Sequence, residues 1–340
     1  MDPIKFARQL IDIESISGNE AAVGEFLLRG LVVLGFKVQK MEVSENRFNV
    51  YATPQMRGNE PPQIVFSTHM DVVPPWIASS EDADKIYGRG ACDTKGIIAA
   101  MVAAAKQLLE HDPQFPLALL FVVGEERDSL GAKVANELAP KPRPKALING
   151  EPTESKVALA SKGTLRVELT ARGKMAHSAY PELGESAIDK LLTALELMRK
   201  LPLPTNPEAG PSTMNIGVIE GGRAPNVISD FAKAQILIRL VGPSAELKRK
   251  IEAAVGNLCE VAYVLEIPYL KLRAFDELPT FVAAFTTDIP YLSNWGEPIL
   301  FGPGSISVAH TDHEFISKTE LMEAVNTYVK MAHGIMDDKS

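Results

Sequence analysis

Hydrophobic positions in the first half of the chain fall into short unbroken runs, separated by stretches with helical spacing. Residues 49–52, 63–68, 117–123 and 146–148 read as strands, and helices are predicted over 95–110 and 129–138. Runs as apolar as Ile64-Val65-Phe66 and Leu119-Leu120-Phe121-Val122-Val123 are expected to be buried on both faces, as in a sheet covered by helices. Asp2-Pro3 predicts a helix start, because Asp satisfies orphan N–H groups and Pro tolerates the first helical position. Ser17-Gly18-Asn19-Glu20 has capping-box spacing and predicts a second helix, which Gly35 closes. This half is expected to be a three-layer α/β catalytic domain with a mostly parallel sheet.

The pattern changes near residue 163. Leu165, Val167 and Leu169 alternate with Arg166, Glu168 and Thr170, which predicts a strand with one wet face. A helix over 186–201, strands near 213–220 and 230–240, a helix near 244–257 and a strand near 260–267 follow. The order β-α-β-β-α-β is the ferredoxin-like α+β arrangement. After Pro268 the α/β pattern returns, ending in a helix over 318–334. The expected organisation is a catalytic domain over 1–162 and 269–340, interrupted by an inserted domain over 163–268.

Composition narrows the function. The chain has 340 residues, with 35 Lys+Arg against 43 Asp+Glu and a formal charge of −8. No basic block is available to neutralise phosphates, so a nucleic-acid partner is not expected. No apolar run approaches the roughly 20 residues of a bilayer span, so no membrane partner is expected. The N-terminal residues lack a signal-peptide pattern, and Cys92 and Cys259 cannot build a disulfide framework; a cytoplasmic location is the expectation.

The candidate chemistry sits where strands run out. Ser67-Thr68-His69-Met70-Asp71 follows a buried strand, and an Asp two residues from a ligating His can fix its tautomer; alone, the pair also reads as a surface turn. Gly88-Arg89-Gly90-Ala91-Cys92-Asp93 precedes the Ala-rich helix, where Asp93 either points into a crevice or caps the helix. Gly124-Glu125-Glu126 places two carboxylates at the end of an apolar strand, costly to desolvate without a cation, unless both simply start a solvated loop. Asn149-Gly150-Glu151 adds another carboxylate, and Phe301-Gly302-Pro303-Gly304-Ser305 leads to His310 and His313. Imidazole and carboxylate without cysteine suit Zn²⁺, with Co²⁺ or Mn²⁺ as substitutes. The carboxylate excess suggests two metals sharing an Asp.

In order and spacing, THMD, GRGACDTKG, GEE, GEPT and GPGSISVAH-TDHEF resemble the dinuclear zinc amidohydrolases related to acetylornithine deacetylase, succinyl-diaminopimelate desuccinylase, aminoacylase and glutamate carboxypeptidase. The resemblance spans nearly the whole chain. It implies that His69, Asp93 and Glu151 hold one zinc and that Asp93, Glu126 and His310 hold the other, with Asp93 bridging. It further implies Glu125 as general base, Asp71 as partner of His69, and His177 as a contact to the scissile carbonyl. Asn226, in a substrate-binding turn, Arg239, for the substrate carboxylate, and Ser305 would bind substrate. A cis peptide between Asp93 and Thr94 is implied, as is a homodimer through residues 163–268 with His177 reaching the partner's zinc site. Two departures stand out: Gly124 occupies a position that is often Asp, and Arg127-Asp128-Ser129-Leu130-Gly131 follows the glutamates. His310 keeps the family's spacing to Glu314 and is preferred to His313 as the ligand.

The expected activity is hydrolysis of the amide of a small N-acyl amino acid, of acetylornithine deacetylase type and hence in arginine biosynthesis. The alternatives within the family are a succinyl-diaminopimelate desuccinylase, a dipeptidase or carboxypeptidase, and a carrier-protein lysine or ornithine deacylase. A different class remains as rival: a non-catalytic metal-binding interaction protein. Its expected signature would be loss of Glu125 or of a ligand, and none is missing.

Overall fold

Asp2 accepts hydrogen bonds from the Ile4 and Lys5 N–H groups and Pro3 opens the helix, so α1 runs Pro3–Ile11 as its sequence predicts. Helix α2 (Ala21–Val33) ends before Gly35, at φ +89°, but its start differs from expectation. Ser17 does not cap it; its hydroxyl donates to Asp71 Oδ2 at 2.7 Å. Glu20 instead accepts from the Gly18 N–H and pairs with Arg47 at 2.7 Å. The computed structural model describes residues 1–275 and 277–337, and the chain divides into two units. The first comprises Met1–Leu159, Leu272–Phe281 and the chain from Thr287 onward; the second comprises Ala160–Lys271 and Val282–Thr286.

In the first unit, β1 (Phe36–Ser44) and β2 (Arg47–Pro54) form a hairpin turned by Asn46 at φ +58°. Strand β3 (Ile64–His69), α3 (Lys95–His111), β4 (Leu117–Val122), α4 (Leu130–Glu137) and β5 (Ala146–Asn149) follow. Strands β3 and β4 are buried along their whole length. Ile64 and Phe66, with Leu117, Leu119 and Phe121, face a core shared with α1, α2 and α3. The alternate residues Val65, Ala118, Leu120 and Val122 face a second core holding Ala132 and Ala135 of α4 and Trp295. Two-sided burial explains why these strands read as continuous apolar runs.

In the second unit, β6 (Gly163–Arg172), the short β7 (Ala176–His177), α5 (Ala187–Arg199), β8 (Thr213–Gly221), the short β9 (Val227–Ile228), β10 (Phe231–Leu240), α6 (Ala245–Val255) and β11 (Glu260–Ile267) follow one another. The sheet order is β8-β10-β6-β11 with every pairing antiparallel. Leu165, Val167, Leu169, Ile236 and Ile238 share one core with residues of both helices.

The first unit resumes with β12 (Glu297–Leu300) and ends in α7 (Lys318–Asp337), whose Tyr328 donates to the Phe301 carbonyl at 2.9 Å. The six-stranded sheet has the order β1-β2-β4-β3-β5-β12. Pairings β4–β3, β3–β5 and β5–β12 are parallel, whereas β1–β2 and β2–β4 are antiparallel. The sheet is therefore mixed, with three of its five pairings parallel and a tight antiparallel hairpin forming one side. The four parallel strands end at one sheet edge, which gathers the segments after His69, Val122, Asn149 and Leu300. Open α/β sheets bind ligands at this edge.

Candidate metal centre

His69 ends β3, and its Nε2 lies 3.0 Å from Asp93 Oδ1. The other oxygen of Asp93, Oδ2, lies 3.2 Å from Nε2 of His310, which is also 2.9 Å from Glu126 Oε1. Asp93 thus turns one oxygen toward each histidine, as a carboxylate shared between two cations must. Donor atoms of His69, Asp93 and Glu126 all lie within 4.8 Å of one another. The peptide from Asp93 to Thr94 is cis, and His310 has φ +63°.

Asp71 acts on more than His69. The Nδ1 of His69 lies 2.9 Å from the backbone carbonyl of Asp71 and 3.5 Å from its carboxylate. The carbonyl is therefore the closer tautomer-fixing partner. The carboxylate organises the glutamate turn: Oδ1 accepts from the Gly124 and Glu125 N–H groups at 2.9 and 3.1 Å, and Oδ2 from the Glu126 N–H at 3.3 Å. Gly124 has φ +80°, and a Cβ there would meet Arg47 Nη2 at 2.8 Å and Asp128 Oδ1 at 2.9 Å. The left-handed φ at this position suits glycine, and the movable ends of Arg47 and Asp128 lie against it.

Electrostatics agree with a cation site. Glu151 is buried two residues beyond β5, and its Oε1 has no hydrogen-bond partner among the described residues. A buried anionic oxygen in that state needs a proton or a cation, so the residues present fit a metal. Burial, then the charge of Glu125, pushes Glu151 well above the usual carboxylate range. Burial also raises Glu125, with Asp288 and Glu126 adding repulsion. Burial opposes protonation of His69, but Asp71 and Asp93 outweigh it and hold its pKa well up. Asp93 and Glu126 push His310 up to about 10. Burial resists ionisation of Asp93 too, yet His310 and His69 outweigh it and lower its pKa.

Ser305 Oγ donates to Glu154 Oε1 at 2.9 Å, in the loop that follows Glu151. His313 is exposed, and its N–H donates to Thr311 Oγ1. In the second unit, the short strands β7 and β9 pair His177 with Val227, and the Ser178 N–H donates to the Asn226 carbonyl at 3.0 Å. His177 and Asn226 are therefore neighbours. Arg239 sits near the opposite end of β10 from Phe231, donating to Thr164 Oγ1 at 2.8 Å. Two buried acids had no role legible in the sequence, although the spacing to Glu314 favours His310 as the ligand. Asp288, beside the Ser129 hydroxyl, is pushed up to about 7 by burial, and Glu314 pairs with Arg89. An isolated Asp after a threonine pair, and a Glu directly after His313, look like surface residues until the fold buries them.

Residues 65–334 match peptidase family M20/M25/M40. A peptidase M20 domain-containing protein of Schizosaccharomyces pombe is 40% identical, over 96% of this chain and 83% of its own. A probable carboxypeptidase of Aspergillus terreus is 39% identical, over 98% of this chain and 86% of its own. The crystal structure of aminopeptidase PepT from Bacillus cereus shares the fold with a TM-score of 0.83 at 22% identity, covering 99% of this chain and 98% of that one.

Proposed function

The chain belongs to peptidase family M20/M25/M40, and from that premise we propose that it hydrolyses the amide bond of a small substrate bearing a free carboxylate. At the coarser level it is a metal-dependent peptidase or amidohydrolase. The family is typically dinuclear, and we assign the pair as zinc, with His69, Asp93 and Glu151 holding one ion and Asp93, Glu126 and His310 the other. The observation that carries the reading is Asp93, with one oxygen toward each histidine, next to a partly buried Glu125 that no ligand role uses. When bound, the metals supply Lewis acidity that brings water toward ionisation near pH 7. Glu125 accepts the proton of the attacking water on its carboxylate and passes it to the leaving amine nitrogen. Asp71 holds the backbone that presents Glu125. The Arg239 fork binds the substrate carboxylate, Asn226 and Ser305 line the substrate, and His177 donates to the scissile carbonyl oxygen. We further propose a homodimer through residues 163–268, with His177 of the partner subunit serving each centre.

Within this class, peptides with a free C-terminus come first, since relatives are named carboxypeptidase; N-acetylornithine and other N-acyl amino acids are the second set. The test is a panel of dipeptides, N-acetyl and N-succinyl amino acids, read by amine release. Exhaustive chelation should abolish turnover and Zn²⁺ or Co²⁺ should restore it. Glu125→Gln should cost ~10³-fold in kcat while metal stays bound. Full activity after chelation, or in the Gln variant, would remove this mechanism.

A further inference from the structure

The Arg89–Glu314 pair lies inside the first unit, joins positions 225 residues apart, and is buried on both sides at 2.8 Å. Stability alone is a poor reason for such a pair. Taking two charges out of water is costly, and apolar residues of similar volume are often as stable. Its contacts suggest another reason. Glu314 Oε1 accepts from the N–H of Asp93 at 3.1 Å and of Cys92 at 3.2 Å, so it anchors the backbone of the bridging ligand itself. Glu314 Oε2 takes Arg89 Nη1, which also donates to the Thr311 carbonyl at 3.1 Å, one residue past His310. Arg89 Nε donates to the Pro75 carbonyl at 3.2 Å, fixing the plane of the fork. One ion pair therefore ties the backbone beside Asp93 to the backbone beside His310, a residue at φ +63° that its surroundings must hold.

We propose that Arg89 and Glu314 are positioning residues that preset the separation of Asp93 and His310 for a shared metal pair. The proposal rests on the reading of the centre as a metal site. It concerns how that site is built, and its test needs no substrate.

The experiment uses the full-length chain freed of metal. Zn²⁺ affinity is measured by competition with a chromophoric chelator, Co²⁺ loading by its visible absorption, and metal-free stability by thermal unfolding. Glu314→Gln should weaken affinity ~10–100-fold, the usual effect of losing a partner that orients ligands. The double variant Arg89→Met with Glu314→Leu should recover metal-free stability over Glu314→Gln and still bind weakly, with an altered Co²⁺ band. Arg89→Lys, which keeps the charge but loses the fork, guards against a core variant that does not fold; it should also bind more weakly than the parent. Affinities within about twofold of the parent in the folded variants would overturn the proposal, as would a double variant that restores stability and affinity together. If the parent binds no divalent metal, the metal-centre reading and this proposal fall together. If the parent binds and the variants match it, only the proposal falls.

Discussion

Three carboxylates and two imidazoles crowd one sheet edge, and without a cation the repulsion between carboxylates, their burial and their pull on the imidazoles favour protonation. His310 is held up to about 10 by Asp93 and Glu126, and Glu151 is held above the carboxylate range by burial. A histidine must be neutral to ligate, so metal competes with these protons. The sign follows: below the raised values the site holds protons that metal must displace, so affinity rises with pH toward about 10 and falls as pH drops. At pH 7, loading should release on the order of one proton or more per chain, read by calorimetry in buffers of different ionisation enthalpy. Zero net release would contradict this account of His310. The cluster of His69, Asp93, Glu126 and His310 was legible as candidate chemistry in the sequence because metal sites demand scarce residue types at fixed places. The backbone contacts of Asp71 and Glu314, and the side chains against Gly124, show what was not legible. They depend on backbone N–H groups and on Arg47 and Arg89, which only the folded chain brings near.

At the level of elements, the parallel strands β3, β4 and β5 were legible because burial on both faces leaves no polar position to interrupt them, whereas the short β12 was not. Strand β1 was not: only Phe36 and Met41 are buried along its nine residues, so no alternation announces it. The capping box failed for a related reason. Spacing allowed Ser17 to cap α2, but Asp71 is an ionised acceptor and makes the stronger bond. The end of β4 depends on a polar contact that no periodicity could reveal. Buried Asn49 on β2 donates to the Gly131 carbonyl at 2.8 Å and accepts from the Val123 N–H at 3.1 Å, joining β2, β4 and α4 one residue before Gly124. A Cβ on Gly131 would come within 2.5 Å of Asn49 Oδ1, so the contact admits only glycine there. Asn49→Ala should leave a donor and an acceptor unsatisfied and cost about 2–3 kcal/mol in urea unfolding. A loss below about 0.5 kcal/mol would show that these backbone groups find other partners.

For the whole molecule, two units were legible as a change from continuous to alternating apolar pattern, although Val282–Thr286 joins the second unit beyond the expected boundary. That unit's surface bears on the proposed association. Its sheet leaves β8 on one edge, with Val218 and Ile219 at 40% and 56% exposure. Leu192 on α5 is 53% exposed. An apolar edge strand of this length invites a second copy, most simply about a twofold axis. His177 is exposed, and its Nδ1 accepts from the Ala179 N–H at 3.1 Å. That turn contact places the ring proton of the neutral form on Nε2, leaving a donor suited to a carbonyl oxygen. The cap within its own unit and a role toward substrate are therefore compatible. Because only one hydrogen bond is lost, His177→Ala should fold normally, so any loss of activity reports function. Mixing His177→Ala with Glu125→Gln chains and allowing exchange should then restore activity to about a quarter of the parent, since half the dimers are mixed and each has one intact site. Mixed dimers with no activity above the two variants would mean that His177 does not serve the partner's centre.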